Sequence, residues 1–310
     1  MRRTLDCVAA QTVRPALWVV IDDGSTDATP EILAEYAARL DFLRVIRRED
    51  RGDRSVGPGV VDAFYTGLET VDLDAFAYVC KLDMDLDLRP RYFERLMEMM
   101  EADPRLGSAS GKPYFRSHNG RMVPEVCGDE MSVGMTKFYH TTCFQQIGGF
   151  VRRVMWDGID CHRCRMLGWK AGSFDEPELR FEHLRPMGSS QKGILTGRMR
   201  HGYGQYFMGT GLAYITASAL FRIGHPPRVI GAAVMWWGYV RSLLRREPRY
   251  EDREFRAFLR RYQWRSLLRG KSGAVRQIDQ QQSAVWSPHR HDTPSAENSL
   301  GSSTGSAMTG

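Results

Sequence analysis

Two groups of acidic residues have the types and the spacing to bind a cation or a polar ligand. The first is the run Asp22–Asp27, with the sequence DDGSTD, which directly follows a continuous apolar segment. The second is the pair Asp83 and Asp85, which flanks a single residue at the end of another apolar segment. Carboxylates are ligands for hard divalent cations and acceptors for hydroxyl donors, so both groups are candidates for a functional site.

The spacing of Asp83 and Asp85 favours a metal site. In an extended or turning segment, residues two apart point to the same side, so the two carboxylates can converge on one cation. Mg²⁺ or Mn²⁺ is held in proteins by one or two carboxylates together with substrate phosphates. The alternative is a surface turn with solvated acids, because this spacing is common by chance. Asp87, the next residue in the series, is expected to lie outside the first coordination sphere.

The acidic run after the first apolar segment has two compatible interpretations. Asp22 or Asp23 could accept hydrogen bonds from a ribose or a base, with Ser25 beside them as a further polar group. Asp and Ser also favour turns, because their side chains bond to the local backbone. Different members of the run can therefore bind a ligand and shape the turn.

The pattern of apolar segments places both acidic groups at one kind of sheet edge. Strands are expected at 16–21, 43–46 and 75–82, and helices at 29–40, 59–70 and from Pro90 to about 102, with Thr29 as the N-cap of the first of these three. This alternation predicts an α/β fold with βαβ units and a parallel sheet. Ligands bind such sheets beyond the carboxyl ends of the strands, where both acidic groups lie.

Four stretches of the chain resemble glycosyltransferase family 2. They are Leu5–Thr29, Lys81–Asp85 (KLDMD), Ile147–Phe150 followed by Trp156–Asp160, and His183 after a strand-like segment. Their order and spacing agree with the family across residues 4–185. The resemblance implies a GT-A fold, a Rossmann-like nucleotide-sugar-binding domain, and a metal-dependent enzyme that uses a nucleotide-sugar donor.

The resemblance also implies individual roles. Asp23 would hold the nucleobase or ribose, Asp83 would lie near the ribose and the metal, and Asp85 would be the main metal ligand, with His183 close to the same site. Asp157 matches the family's catalytic base, and its spacing to Arg163 fits. Trp156 stands where the family usually has Glu, so Asp160 is kept as an alternative base.

Two departures from the family carry expectations of their own. The family's first strand is absent, and strand 16–21 therefore lacks an expected neighbour, which favours a start site placed too far downstream. The Gln-x-x-Arg-Trp signature of processive synthases is also absent. The absence of this signature favours transfer of a single sugar over polymerisation, and the resemblance implies inversion. The expected acceptor is a saccharide or lipid-linked molecule near the membrane, in envelope or exopolysaccharide synthesis.

Three regions are expected along the chain. Residues 1–197 form the transferase domain, 198–269 form an amphipathic helical region, and 270–310 form a disordered tail because Gln, Ser, Gly and Thr dominate it. The apolar stretches 206–223 and 229–244 fall short of the roughly 20 apolar residues that span a bilayer.

The basic character of the carboxyl-terminal half favours a membrane surface as a partner. The chain carries a formal net charge of +6, and residues 198–271 are rich in Arg. No nucleic-acid-binding motif accompanies this charge, so no nucleic-acid partner is expected. The expected location is the cytoplasmic face of the membrane, with the cytoplasm as the alternative. For the helical region, the alternative to membrane association is a buried helical hairpin. For the function, the alternative to an enzyme is a non-catalytic degenerate module that organises a polysaccharide assembly complex.

Overall fold

The amino-terminal half alternates strands and helices, as the sequence predicts. The computed structural model describes residues 1–49, 58–185, 193–224 and 227–288. Up to residue 185 its principal elements are α1 (Arg2–Ala9), β1 (Trp18–Asp22), α2 (Thr29–Ala37), β2 (Leu43–Arg47), α3 (Pro58–Leu68), β3 (Tyr78–Leu82), β4 (Leu86–Asp87), α4 (Tyr92–Ala102), β5 (Leu106–Ser110), β6 (Lys112–Arg116), β7 (Met122–Pro124), β8 (Thr136–His140), α5 (Thr141–Gln146), α6 (Trp156–Met166), β9 (Lys170–Ser173) and β10 (Arg180–His183).

The strands of the described ranges form three sheets. β1 and β2 pair in parallel, from Trp18 opposite Leu43 to Asp22 opposite Arg47. A second sheet has the order β3-β8-β5-β9, and a third has the order β4-β10-β6-β7. Both four-stranded sheets are mixed, since β5–β9 and β6–β10 are parallel pairs and the other pairs are antiparallel. The α/β class is confirmed, and β1-α2-β2 is a βαβ unit of the expected kind.

The start of α2 differs in detail from the prediction. Thr29 was expected to cap the helix, but it is the first helical residue, and Ala28 occupies the N-cap position. The Asp27 carboxylate instead accepts a hydrogen bond from the Thr29 amide at 3.0 Å. Asp satisfies a free amide at a helix start as well as Thr does, which explains why the sequence did not separate the two.

The carboxyl-terminal half contains four longer helices, α7 (Ile194–Met208), α8 (Leu212–Arg222), α9 (Arg228–Leu244) and α10 (Arg253–Gln281). α7 and α9 pack closely because Gly202 lies against the Met235 carbonyl and Gly238 against the Met199 carbonyl, positions where a Cβ atom would clash. Within the described residues, no helix is both long enough and apolar enough to cross a membrane.

The expectation of a disordered tail from residue 270 is wrong for residues 270–288. α10 bends at Gly270, which adopts φ 72°, and then continues to Gln281. Ala274 and Ile278 are buried against the hydrophobic cluster that also contains Ile159 of α6, and Trp286 packs on Trp169. The prediction rested on the polar average composition of the segment, which does not reveal a few apolar residues that become buried. Residues 289–310 lie outside the described residues.

Candidate active site

The turn after β1 is built around the buried carboxylate of Asp22. Its Oδ1 accepts a hydrogen bond from the Ser25 amide at 2.9 Å, and Gly24 supplies the positive φ of 80° that the turn requires. Oδ2 lies 3.6 Å from Nε of Arg47, which also donates to the Ser25 carbonyl from Nη2. Asp22 and the Ser25 backbone therefore hold the shape of the turn.

Asp23 is the member of this turn that faces open space. Its side chain is 39% exposed, and it lines a cavity between β1 and β3. Arg48 lies beside it, with 3.5 Å between Nη1 and Asp23 Oδ1. A partly exposed carboxylate next to a guanidinium can accept hydrogen bonds from sugar hydroxyls while the cation faces a phosphate.

The turn after β3 depends on a lysine to which the sequence assigned no role. Lys81 is buried at the second-to-last position of β3. Its Nζ donates to Asp83 Oδ1 and, at 2.9 Å, to the Gly134 carbonyl. The Asp83 amide donates to the Met135 carbonyl at 2.8 Å. Asp83 is therefore fixed in place, with its side chain still partly exposed. A lysine inside an apolar strand, two residues before an acid, was the signal available in the sequence.

Asp85 and His183 meet at the neighbouring edge, where β4 pairs with β10. Nε2 of His183 lies 3.9 Å from Asp85 Oδ1, and Nδ1 lies 3.0 Å from Glu125 Oε2. Asp85 Oδ2 accepts a hydrogen bond from Arg185 Nε at 2.9 Å and forms an ion pair with Arg185 Nη2 at 2.8 Å. Asp85 Oδ1, in contrast, is buried with no hydrogen-bond partner in the described structure. A buried carboxylate oxygen left in this state is unfavourable unless a cation or a donor faces it.

The residues around this orphaned oxygen fit a divalent cation in part. Two ligands at about 2.1 Å from Mg²⁺ lie roughly 3 to 4.2 Å apart, depending on the angle between them. The 3.9 Å from Asp85 to His183 falls in that range, and the contact with Glu125 orients the imidazole. Asp83 is paired with Lys81 instead, and across the described residues no three His, Cys, Asp or Glu side chains gather into a metal-binding group. Phosphates and water would have to complete such a coordination sphere.

Asp157 lies in the first turn of α6, on the same side as the β3 turn. The residue is exposed at the surface, but one carboxylate oxygen, Oδ2, lies against Gly134, whose carbonyl binds Lys81, so the protein partly desolvates the carboxyl group. Desolvation of the carboxyl group raises the pKa of Asp157, the positive charge of Lys137 opposes that shift, and the negative charge of Asp160 reinforces it. A carboxylate with a raised pKa that remains open to solvent has the properties of a general base.

Trp156 directly precedes Asp157, at the position where an acidic residue was expected, and it presents an aromatic ring instead of a charge. Nζ of Lys81 and Nζ of Lys137 lie 5.4 Å and 5.7 Å from the centre of its ring, and the ring packs edge-on against Phe150 at 4.7 Å. Cation–π contacts of this kind are favourable, most of all when both partners are desolvated. Trp156 therefore supports the two lysines that border the turns of Asp83 and Asp157.

Asp160 is enclosed by the protein. Its Oδ2 accepts from Nζ of Lys137 and from the hydroxyl of Tyr139, and its Oδ1 accepts from the Cys161 amide at 2.6 Å. The Lys137 and Asp160 side chains are 0% and 1% exposed. Desolvation alone would lower the pKa of Lys137, but Asp160, Cys161 and Asp157 raise it above the ordinary lysine value, so the lysine stays charged.

A family model described as glycosyl transferase family 2 matches residues 1–157 of the 310, about half of the chain. The chain belongs to this family. The matched range contains Asp22, Asp23, Asp83 and Asp85 and ends at Asp157. The recognition made from the sequence motifs is therefore confirmed.

Similar proteins with curated names are synthases of poly-beta-1,6-N-acetyl-D-glucosamine. The poly-beta-1,6-N-acetyl-D-glucosamine synthase of Staphylococcus aureus (strain COL) is 30% identical over 115 residues, which is 37% of this chain and 25% of that protein. The enzyme of the same name from Staphylococcus epidermidis is 31% identical over 102 residues, 32% of this chain and 22% of that protein. This family 2 chain thus matches about a quarter of the length of these relatives.

A solved mannosyltransferase structure is among the matches, at low similarity. A mannosyltransferase from Pyrobaculum calidifontis, solved in complex with GDP-Man and Mn²⁺, superposes with a TM-score of 0.48 and 16% sequence identity. The match covers 91% of this chain and 82% of that one.

The fold of this family 2 member brings together three of the eight expected site residues, Asp23, Asp83 and Asp157. Asp23 and Asp83 line one cavity, and Lys81 and Gly134 connect Asp83 to Asp157. The other predicted residues are placed differently: Asp85 and His183 form a neighbouring group, Asp22 and Ser25 shape a turn, and Asp160 is buried in an ion pair.

Proposed function

We propose that this chain is a metal-dependent glycosyltransferase that moves one sugar from a nucleotide-diphosphate sugar to a saccharide or lipid-linked acceptor, with inversion. The observation that carries the proposal is the meeting of two acidic turns at one cavity, with Asp23 on one side, Asp83 on the other and the exposed Asp157 beyond Gly134. This arrangement separates the groups that hold the donor from the group that can remove a proton.

Donor binding is assigned to the two turns. Asp23 accepts hydrogen bonds from the nucleoside, and Arg48 beside it can offset the charge of a phosphate. Asp83 reaches the ribose, and Lys81 holds its carboxylate in that position. Asp22 and Ser25 contribute by fixing the turn that carries Asp23.

Asp85 and His183 are the residues that would hold Mg²⁺ or Mn²⁺, with Asp83 nearby on the same loop. When bound, such a cation neutralises the negative charge of the leaving diphosphate. Glu125 and Arg185 keep the His183 ring and the Asp85 carboxylate oriented toward each other.

Asp157 is assigned as the base in preference to Asp160. An inverting transfer needs a carboxylate that accepts the proton of the acceptor hydroxyl as that oxygen attacks the sugar carbon. Asp157 is open to solvent, whereas Asp160 is surrounded by Lys137, Tyr139 and the Cys161 amide. A base must reach its proton directly or through one water, which the position of Asp160 does not allow.

Assays with the purified protein distinguish the proposed enzyme from the alternative, a non-catalytic module of an assembly complex. A panel of nucleotide sugars, including donors of N-acetylglucosamine, is screened with Mn²⁺ first for thermal stabilisation and then for hydrolysis or transfer. We expect one donor to raise Tm and to be turned over. Donor binding without any hydrolysis or transfer, across a range of saccharide acceptors, would support the non-catalytic module.

The pathway and the number of sugars added are also proposals. The names of the staphylococcal relatives support a role in exopolysaccharide synthesis. Transfer of a single sugar is proposed because this sequence lacks the Gln-x-x-Arg-Trp signature. Product sizing by mass spectrometry distinguishes the two modes, since a ladder of products from one acceptor would contradict single-sugar transfer.

Replacing Asp85 by alanine is expected to abolish the metal dependence of donor binding. The substitution removes the orphaned oxygen and leaves His183 as a single ligand, which is insufficient for Mg²⁺ or Mn²⁺. Calorimetry with donor, with and without chelator, measures the effect. Asp87→Ala is the matched control, because Asp87 lies two residues further on and pairs with Arg3 on the surface. Donor binding that is insensitive to both chelator and Asp85→Ala would refute the metal assignment.

A membrane surface is the proposed location of the acceptor. α8 and α9 expose large apolar side chains, namely Leu220, Phe221, Val229, Ile230, Trp237 and Leu244. Arginines occur along the same helices and just after them, at Arg222, Arg228, Arg241, Arg245 and Arg246. Apolar side chains flanked by cationic ones suit the interface of an anionic bilayer. A buried helical hairpin of residues 206–223 and 229–244, the alternative that the sequence left open, does not account for the exposed apolar side chains of α8 and α9.

The double variant Phe221→Ser/Trp237→Ser is expected to bind phosphatidylserine-containing vesicles at least about tenfold more weakly. Both substitutions remove an apolar side chain that would insert into the bilayer. Vesicle flotation measures the bound fraction, and high salt should weaken the binding of the unaltered chain. Val126→Ser removes an exposed apolar side chain from the segment after β7 and serves as the control. Equal vesicle binding by all three proteins would contradict the assignment of this surface.

A further inference from the structure

Three helices of the carboxyl-terminal half carry positive charge without any negative charge to balance it. Between Glu182 and Glu247 the sequence contains nine Lys and Arg residues but no Asp or Glu. α7, α8 and α9 fall within this stretch and pack on one another around a shared apolar cluster that includes Tyr206, Ile215 and Met235. Because Asp and Glu are absent from all three helices, none of their own side chains can neutralise their arginines.

Arg198, His201 and Arg222 form a cluster of basic side chains where these helices meet, and all three are half-buried. Arg198 of α7 reaches across to α9, since its Nε lies 3.6 Å from where a Cβ atom on Gly231 would be. Nη1 of Arg222 donates to the carbonyl of Ser218 at 3.2 Å and to the hydroxyl of the same residue, both within α8. Neither of these contacts neutralises the guanidinium charge.

The electrostatics of this basic cluster favour an anion. Burial, followed by the positive charges of Arg222 and Arg198, lowers the pKa of His201 to about 4. Burial and the charge of Arg198 likewise lower the pKa of Arg222. The three groups are therefore within electrostatic reach of one another, and like charges held together in a partly desolvated place are unfavourable. A phosphate relieves this repulsion, because its oxygens accept charge-assisted hydrogen bonds from guanidinium groups and a hydrogen bond from an imidazole N–H.

The surroundings of the basic cluster indicate that such a phosphate carries an apolar chain. Leu220 and Phe221 directly precede Arg222, and Val229 and Ile230 lie in the first turn of α9; these four apolar side chains are all exposed. A small, soluble phosphate compound would leave them in water. A lipid buries them against its apolar chain while its charged group stays beside the arginines.

α7 connects the basic cluster to the proposed base. Sδ of Met208, near the end of α7, lies 3.8 Å from where a Cβ atom on Gly158 would be, and Gly158 directly follows Asp157. His201 is seven residues before Met208, which places it on the same face of α7, two turns or roughly 10 Å away along the helix axis. A saccharide attached to a lipid phosphate in the cluster can therefore extend along α7 toward Asp157.

We propose that Arg198, His201 and Arg222 bind the phosphate group of a lipid whose apolar chain lies on the exposed side chains of α8 and α9. Where that lipid is the acceptor, the saccharide on its phosphate reaches Asp157, and this part of the inference rests on the proposed function. A phospholipid headgroup supplies the same phosphate chemistry without a saccharide. The binding experiment below separates these two sources.

The test is flotation of the full chain with phosphatidylcholine vesicles that contain polyprenyl phosphate, phosphatidic acid or uncharged polyprenol. We expect the unaltered chain to bind both kinds of phosphate-containing vesicle at least about tenfold more tightly than the polyprenol vesicles, because basic residues near the membrane surface attract anionic lipids. Arg198→Gln/Arg222→Gln should lose this preference. The control, Arg241→Gln/Arg245→Gln, removes two arginines at the other end of α9 and should keep most of it.

The outcomes separate the two lipid sources and can overturn the site. Tighter binding to polyprenyl phosphate than to phosphatidic acid assigns the site to an acceptor-type lipid, and equal binding to the two assigns it to phospholipid headgroups. Equal binding of the unaltered chain to all three kinds of vesicle would overturn the inference. An equal loss of preference in both double variants would overturn it too, since the effect would then come from total charge.

Two further measurements cover poor folding and the acceptor role. If the double variant does not fold, Arg222→Gln alone serves, because the hydrogen bonds of Arg222 stay within α8, and an unchanged preference in it would contradict the site. In transfer assays, Arg198→Gln/Arg222→Gln should raise KM for a lipid-linked acceptor and leave KM for a water-soluble saccharide unchanged; equal changes would contradict the acceptor role. Vesicle binding needs no turnover, so the lipid site and the proposed function can fail separately.

Discussion

The Asp157→Asn variant is expected to lose about a hundredfold to ten-thousandfold in kcat while its affinity for the donor stays near that of the unaltered protein. General-base removal typically costs a factor in this range. Donor affinity should persist because Asp23 and Asp83 lie on other loops and Asn has nearly the same size as Asp. Initial rates at saturating donor and acceptor, with calorimetric titration of the donor, separate the two quantities.

The pH profile adds a readout that a purely structural role would not change. Asp157 acts as a base only when ionised, and desolvation raises its pKa in the folded protein. Activity should therefore be complete above that raised pKa and fall as the pH drops through it, with the acid limb displaced upward from the ordinary value for aspartate. Asp157→Asn should remove this limb from its residual activity.

Asp160→Asn is the comparison that can reverse the assignment. It should lower stability strongly, because Lys137 would be left as an unpaired buried charge. The folded fraction should keep most of its turnover. Loss of turnover by folded Asp160→Asn with normal turnover by Asp157→Asn would exchange the two roles, and normal turnover by both would place the base elsewhere.

The acidic turns could be predicted because their signals are local. A run of β-branched residues followed by Asp, Gly and Ser specifies a buried strand and the turn that ends it within about ten residues. Asp22 and Asp23 follow such a run, and Asp83 and Asp85 follow the apolar segment of β3. Their predicted placement at strand ends agrees with the structure, in which Asp22 is the last residue of β1. Which of Asp22 and Asp23 shapes the turn and which can bind a ligand depends on which carboxylate points inward. The sequence does not determine this, so both interpretations of the run stayed open.

The partners of these acids could not be predicted, because they come from distant segments. Asp85 meets His183 across the pairing of β4 and β10, and His183 is oriented by Glu125, 58 positions earlier. Nothing local marks Glu125 as different from any other acid. The resemblance to the family indicated His183 alone, without its contacts.

Asp160 shows how a helical position can mislead. Asp157 and Asp160 are one turn apart on α6, and Asp160 was kept as an alternative base because Trp156 stands where the family usually has Glu. The strand Thr136–His140 gave a usable signal, because Lys137 lies in an apolar and aromatic context that would bury it. A buried lysine requires a buried acid, and only the packing of α6 on β8 reveals that Asp160 is that acid.

Lys137→Met should destabilise the fold by about 3–5 kcal/mol, the cost of leaving one member of a buried ion pair unpaired. The substituted chain retains a carboxylate that is 1% exposed, with the hydroxyl of Tyr139 and the Cys161 amide as its remaining donors. The free energy of unfolding in urea measures the change. Arg91→Met, which breaks an exposed pair with Glu94, is the control and should cost about 1 kcal/mol or less.

Removing both charges tests whether the loss comes from the unpaired carboxylate. The triple variant Lys137→Met/Asp160→Leu/Tyr139→Phe also removes the hydroxyl that would lose its acceptor, and it should recover most of the stability, since well-packed apolar residues often replace a buried pair at little cost. Its Asp157 keeps the exposed position at the start of α6 but loses two charges: that of Lys137, which opposes the rise in the Asp157 pKa, and that of Asp160, which reinforces the rise to a smaller extent. The acid limb of its activity should therefore move to higher pH. If the triple variant is as unstable as Lys137→Met, the loss of stability comes from altered packing of these side chains and not from an unpaired buried charge.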